Sequence, residues 1–187
     1  LADTVFEPDA IEMRVGRSGA EVFRLPMRGY AVQRWGAPYM HIHRADLVDA
    51  LAARLKQLAP GAVQTGITVQ SYAEEGARVA LRTDAGDTHV ADVVIGADGL
   101  HSVIRRQMLG PDAPRYTGNV AWRAVVPTEA LGQDAPPPTA CVWVGQGRHA
   151  VTTRLRGGAL ANFVGMVEQA EPAAEDWRST GSAAEAV

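Results

Sequence analysis

The chain has 187 residues, 47% hydrophobic and 21% charged, with 18 Lys+Arg against 21 Asp+Glu and a formal net charge of -3. That much apolar material excludes a disordered chain, and the mild acidity argues against a nucleic-acid binder, which carries a basic patch or stripe. No run approaches the roughly 20 apolar residues that a membrane helix needs, and a single cysteine, Cys141, excludes an internal disulfide framework or a Cys-rich zinc site.

The opening LADTVFEPDA has no charged region followed by an apolar stretch, so no secretion signal is expected and a cytoplasmic protein is. The start at Leu1 reads as an internal piece of something longer. Residues 10–16 (AIEMRVG) and 20–26 (AEVFRLP) alternate around the turn Arg17-Ser18-Gly19, which predicts a β-hairpin. Residues 29–38, with Gly and Pro punctuation, read as loop. A helix follows His43: Leu47, Leu51, Leu55 and Leu58 recur at helical spacing, Val48 and Ala52 widen the stripe, and Pro60-Gly61 stops it. Residues 62–95 read as an antiparallel meander running into DVVIGAD. The continuous β-branched core of that last run predicts a strand buried on both faces, as in a parallel sheet. A short helix is expected over Ser102–Met108. Four more strands (YTGNVAWRAVV, TACVWVG, RHAVTTRL, ALANFVGMV) follow with no helical pattern between them, which predicts an antiparallel sheet. Residues 171–187 could begin a helix. The expected fold is α/β with α+β character. In it, 1–38 and 111–170 build one antiparallel sheet, and 39–110 is a partial second domain with a parallel-sheet segment and a meander.

The strongest chemical signal is Asp98-Gly99-Leu100-His101-Ser102-Val103-Ile104-Arg105. Asp98 falls at the carboxyl edge of a strand, where open α/β sheets bind ligands. Gly99 permits a turn with positive φ and close ligand approach, and Ser102 can cap the next helix. Asp98 can accept hydrogen bonds from ribose or ribityl hydroxyls, with Arg105 balancing its charge. The plainer alternative is a strand–turn–helix corner in which Asp98 and Ser102 only cap. The second signal is His43-Arg44-Ala45-Asp46. A cation at a helix start is disfavoured by roughly 0.3–1 kcal/mol, so Arg44 makes sense beside an anion such as a pyrophosphate; otherwise it points into water or pairs with Asp46 or another surface acid. Trp122 reads as core and Arg123 as a solvated or ion-paired arginine that could also meet a substrate carboxylate. Cys141, in an apolar run, reads as a buried inert thiol. No histidine spacing suggests a metal.

These two motifs, about fifty residues apart, resemble the middle of the FAD-dependent aromatic hydroxylases of the salicylate and hydroxybenzoate hydroxylase type. DVVIGADGLHSVIR matches the family's D-G-x-x-S-x-x-R pattern at Asp98, Gly99, Ser102 and Arg105, and YMHIHRADLVDAL resembles its Arg-bearing helix start. YTGNVAWRAVVP resembles the strand entering the substrate domain, and VWVGQGRHAV the following hairpin. The resemblance implies a flavin-binding α/β domain interleaved with a substrate-domain sheet. Its cofactors would be FAD and either NADH or NADPH, and its partner a small aromatic substrate, with no nucleic acid or membrane; oligomeric state stays open. It implies that Arg44 contacts the pyrophosphate–ribityl region, that the Asp98 turn serves FAD and the nicotinamide nucleotide, and that His149 lies in a strand that often carries a pocket histidine. His149 could bind a phenol oxygen or be a hydrogen-bonded structural residue. The tyrosine usual four positions after it is Thr153 here, and the proline after that is Arg154. The family's initial strand–G-x-G-x-x-G–helix and its later Gly-Asp motif have no counterpart in these residues. The implied parent activity is hydroxylation of a small phenolic acid with NAD(P)H and O2. The alternatives are an inert folded fragment or non-enzymatic module, or a same-fold flavoprotein with other chemistry, such as a halogenase or reductase.

Overall fold

A computed structural model of the chain describes residues 4–172 and 179–181. Its elements run β1 (Val5–Phe6), β2 (Ala10–Val15), β3 (Glu21–Pro26), α1 (Tyr30–Trp35), β4 (His41–Ile42), α2 (Arg44–Leu58), β5 (Val69–Glu75), β6 (Arg78–Thr83), β7 (Thr88–Ala91), α3 (Val103–Leu109), β8 (Asn119–Pro127), β9 (Ala140–Gly145), β10 (Arg148–Leu155) and β11 (Leu160–Glu168), with short 3-10 turns at Thr128–Asp134 and Arg156–Gly158. Two compact units are distinguished: Leu1–Arg54 with Thr117–Val187, and Leu55–Tyr116; the division falls inside α2.

The first unit is built on a six-stranded sheet in the order β3-β2-β9-β10-β11-β8. Every pairing in it is antiparallel except β2 with β9. The N-terminal hairpin thus joins the later meander as the parallel neighbour of β9, far apart in sequence. Directly paired residues share a face. The register places His149, Val151 and Thr153 beside Val144, Val142, Met166 and Asn162 on one face. The other face carries Trp143 against Ala150, Gly165 and Trp122. Buried residues include Phe6, Ala10, Met27, Ala31, Ala140, Cys141, Leu155 and Ala161. The hairpin β2–β3, the helix α2 and the strands β8–β11 match the sequence expectations, as does the mixed α/β architecture.

The second unit holds the antiparallel meander β5-β6-β7 and α3. Gln107 of α3 ties onto Tyr72 of β5: the Tyr72 N–H donates to Gln107 Oε1 at 2.9 Å and the Gln107 amide donates back to the Tyr72 carbonyl.

Two expectations are corrected. Residues 30–35 form α1 rather than loop, closed by Gly36 in the left-handed region with its N–H on the Val32 carbonyl. Residues 92–98 form no strand: a buried parallel strand requires a paired neighbour, none is described beside this run, and Val93 and Ile95 stand 73% and 86% exposed. The apolar stripe of α2 is likewise not buried. The helix expected to start within 171–187 falls largely on 173–178 and 182–187, outside the described residues. Among the described residues no helix is long and apolar enough to cross a membrane.

Candidate functional site

The Asp-Gly turn is built by hydrogen bonds to its own helix. Gly96 lies so close to α3 that a Cβ added there would stand 2.9 Å from Cβ and Cγ2 of Ile104. This approach lets the chain reverse through Gly99, at φ +81° with open space around it. The Asp98 carboxylate then accepts from Ser102 Oγ at 2.5 Å, from the Val103 N–H at 2.7 Å and from the Ile104 N–H at 3.2 Å. Ser102 Oγ in turn accepts from the Arg105 N–H at 2.9 Å. The two side chains together satisfy three of the helix's first free N–H groups. The Ser102 hydroxyl foremost, then the helix N–H groups, hold the Asp98 carboxyl below the usual carboxylate range.

Arg105 does not balance Asp98. Its guanidinium donates to the Leu100 carbonyl at 2.7 Å and lies 3.6 Å from Asp112, while its buried Nε has no protein partner. It clamps the loop between Gly99 and α3, and the Asp98 charge is met by N–H and hydroxyl donors instead.

Arg44 is the exposed first residue of α2. The ion pair at this turn does not involve it. Asp46 is instead gripped by Arg156 through two bonds, Nε to Oδ2 at 2.8 Å and Nη2 to Oδ1 at 2.7 Å. This fork holds the Asp46 carboxyl low and raises Arg156. The nearby carboxylate that could have neutralised Arg44 is therefore occupied, and a cation is left at the positive end of a helix. That arrangement suits an anionic group such as a flavin pyrophosphate. Neither Arg156 nor its pairing was legible beforehand, since 110 residues separate the two partners.

His149 is exposed at the start of β10 and lines a cavity of about 300 Å³ with Val144, Met166, Asn119 and Glu168. Four residues on, Thr153 Oγ1 accepts from Asn162 Nδ2 at 3.2 Å on the same face. A larger cavity, about 620 Å³, also reaches His149 and runs along Trp143, Ala150, Phe163 and Gly165, with Arg17 and Arg148 among its lining residues. Trp143 Nε1 donates to Thr152 Oγ1 at 3.0 Å, which fixes the indole along this wall. Trp122 is half-buried with its Cβ near Gly165, and Arg123 is exposed.

One buried charge escaped the sequence reading. Glu12 is fully buried on β2, bonded by Arg14 Nε at 2.8 Å and by Arg24 from β3. It lies opposite Cys141, whose thiol is pushed up by burial first and by the Glu12 charge second. Burial and a raised thiol both disfavour the thiolate, the reactive form.

No protein-family profile matches the chain. It is 37% identical over 174 residues to 3-amino-4-hydroxybenzoate 2-monooxygenase of Streptomyces cremeus, covering 92% of this chain and 43% of that one. It is 35% identical over 173 residues to 6-hydroxynicotinate 3-monooxygenase of Bordetella bronchiseptica, covering 91% and 44%. Among solved structures it superposes on Klebsiella pneumoniae HpxO complexed with FAD and uric acid, with a TM-score of 0.76, 27% identity and coverage of 94% and 43%. A salicylate hydroxylase substrate complex gives a TM-score of 0.69 at 27% identity, covering 96% and 46%. The chain spans less than half the length of these relatives. With the Asp98-Gly99-x-x-Ser102-x-x-Arg105 turn, the Arg44 helix start and the six-stranded sheet all present, this chain belongs, over the stretch it spans, to the FAD-dependent aromatic hydroxylase family.

Proposed function

We propose that the chain is the middle portion of a flavin-dependent monooxygenase that hydroxylates a small phenolic acid with NADH or NADPH and O2. The observation that carries this reading is the likeness, over more than nine-tenths of the chain, to monooxygenases named for an aminohydroxybenzoate and a hydroxynicotinate. When bound, FAD would supply the redox chemistry. The residues would supply binding and orientation. Arg44, whose neighbouring carboxylate is taken by Arg156, would hold the pyrophosphate–ribityl region. The turn at Asp98, Gly99 and Ser102, closed by Arg105, would serve FAD and the nicotinamide nucleotide, with open space around Gly99 allowing close approach. His149 would accept or hold the proton of a phenol oxygen at the cavity it lines.

The test is substrate-stimulated NAD(P)H oxidation by the full-length protein, screened over hydroxybenzoates and hydroxynicotinates with product analysis. Stimulation coupled to a hydroxylated product is expected. A flavin-loaded protein that oxidises NAD(P)H at the same rate with and without every compound, and forms no hydroxylated product, refutes the reading. On the same protein Arg44→Ala should weaken FAD about ten- to hundredfold, the conversion of a charge-assisted contact of roughly 1.5–3 kcal/mol. Unchanged FAD affinity would reduce Arg44 to a surface residue.

A further inference from the structure

We infer that Arg156 is a positioning residue for the cofactor: from the turn that closes β10 it grips Asp46 on the first turn of α2 and so fixes the place of Arg44. The inference rests on the proposed role of Arg44 and adds a residue that the sequence motifs do not contain.

Three observations carry it. The first is the fork itself. Both Arg156 bonds to Asp46 are short and directional, 2.8 and 2.7 Å, and the Asp46 side chain is only 12% exposed. A planar guanidinium on both oxygens of a carboxylate sets orientation as well as distance. Asp46 is two residues beyond Arg44, so the clamp acts on the same helical turn.

The second is backbone strain. Arg156 has φ +49°, the one non-glycine residue with positive φ among the described residues, and it opens a run with Gly157 at +63° and Gly158 at +99°. A β-hairpin could place glycine there at no steric cost. An arginine held in the left-handed region against that preference points to a use for its side chain.

The third is that the turn is anchored just beyond β8 and, through β1, on the strand β4 that leads into α2. Thr128 Oγ1 donates to the Gly158 carbonyl at 2.7 Å. Phe6 of β1 lies against Gly158, with its Cε2 3.4 Å from where a Cβ would be. Phe6 in turn pairs with His41 of β4, two residues before the helix entry at His43. The turn therefore braces both the approach to α2 and its first turn. Substrate-sheet strand β10 and the cofactor-facing arginine are joined through one ion pair.

The discriminating variant is Arg156→Gly in the full-length protein. Glycine removes the fork and at the same time relieves the positive φ, so the two effects on folding oppose each other. The melting temperature should move little while FAD binds several-fold more weakly, read by flavin fluorescence titration of the apoprotein. Arg156→Lys keeps the charge but not the fork, and should fall between Arg156→Gly and the parent. In an Arg44→Ala background, Arg156→Gly should weaken FAD by less than about twofold more, because a residue that acts only through Arg44 has nothing left to position. A loss with Arg44→Ala but none with Arg156→Gly overturns this inference alone, as do losses that multiply in the double variant. No loss with either variant overturns the cofactor role of Arg44 as well.

Discussion

Replacing Gly96 by alanine isolates what holds the Asp98 turn in place. Gly96 is not in the positive-φ region, so alanine meets no backbone penalty there. The obstacle is space. The added Cβ would stand 2.9 Å from Cβ and Cγ2 of Ile104 and 3.4 Å from its Cγ1. Ile104 is β-branched and its Cβ is fixed to the α3 backbone, so no rotamer change clears the contact. The start of α3 has to move outward, and doing so stretches the bonds from the Val103 and Ile104 N–H groups to Asp98. Overpacking of this kind costs about 1–3 kcal/mol, and the half-buried, seven-residue α3 can yield, which places the cost in the lower half of that range. With a urea dependence of about 2 kcal/mol per molar, the midpoint should drop by about 0.5–1 M at unchanged slope. Gly165→Ala is the control. Its Cβ would lie 2.9 Å from Cζ of Phe163, the far end of a half-exposed ring that can swing aside. Gly165 is itself buried on β11, but the added methyl displaces only the free end of a ring, so the midpoint there should move by no more than about 0.2 M. A Gly96→Ala midpoint equal to the parent's refutes the reasoning, and so does a Gly165→Ala shift of the same size.

Three further outcomes are expected. The depressed Asp98 carboxyl contributes stability that is present above the ordinary carboxylate range and is lost as pH falls through its lowered value, so Asp98→Asn should flatten acid unfolding at the low end; parallel acid curves for variant and parent would show that the carboxylate adds nothing. Cys141, buried with a raised thiol, should resist alkylation in the folded chain and react fully in denaturant, and rapid native labelling would contradict its placement. In the full-length protein His149→Ala should raise the substrate KM or uncouple NAD(P)H oxidation from hydroxylation at normal FAD content; normal coupling with only a lowered melting temperature would make it structural.

Local signals carried much of the fold. The alternation of 10–16 and 20–26 around Arg17-Ser18-Gly19 sufficed for a hairpin, and RHAVTTRL coincides with β10. Helix α1 was hidden because it is only six residues long and the flanking Gly29 and Gly36 resemble loop punctuation, although both, at φ +75° and +77°, are its boundary residues. The run Val93-Val94-Ile95 has the composition of a buried parallel strand, but a strand exists only with a neighbour, and that is no property of the run itself. Glu12 occupies an inward position of an alternating strand. Its cross-strand partner Arg24 becomes visible only once the hairpin register pairs the two. Of the site, Gly99 and the Ser102 cap were readable from residue chemistry. The Asp46–Arg156 fork, which decides whether Arg44 is neutralised, depends on tertiary contact alone.

Asp98 and Arg44 rest on the same kind of motif argument, yet their surroundings separate them. Three protein donors already converge on the Asp98 carboxylate, two of them at the start of α3. A ligand hydroxyl there adds to a group whose first duty is to the turn, so Asp98→Ala loosens α3 before it touches any ligand. Arg44 stands at the opposite extreme. Its neighbour Asp46 is committed to Arg156, and its charge sits at the end of a helix where only an anion makes it favourable. Removing that charge relieves the folded chain and penalises only the complex. The two variants should therefore split: Arg44→Ala keeps or slightly raises the melting temperature and weakens FAD, whereas Asp98→Ala lowers the melting temperature, and at a temperature where it is fully folded binds FAD within a few-fold of the parent. Thermal melts paired with FAD titrations on the full-length protein measure both quantities. An Arg44→Ala variant that loses stability and FAD together, or an Asp98→Ala variant that melts like the parent while losing FAD, would reverse the assignment.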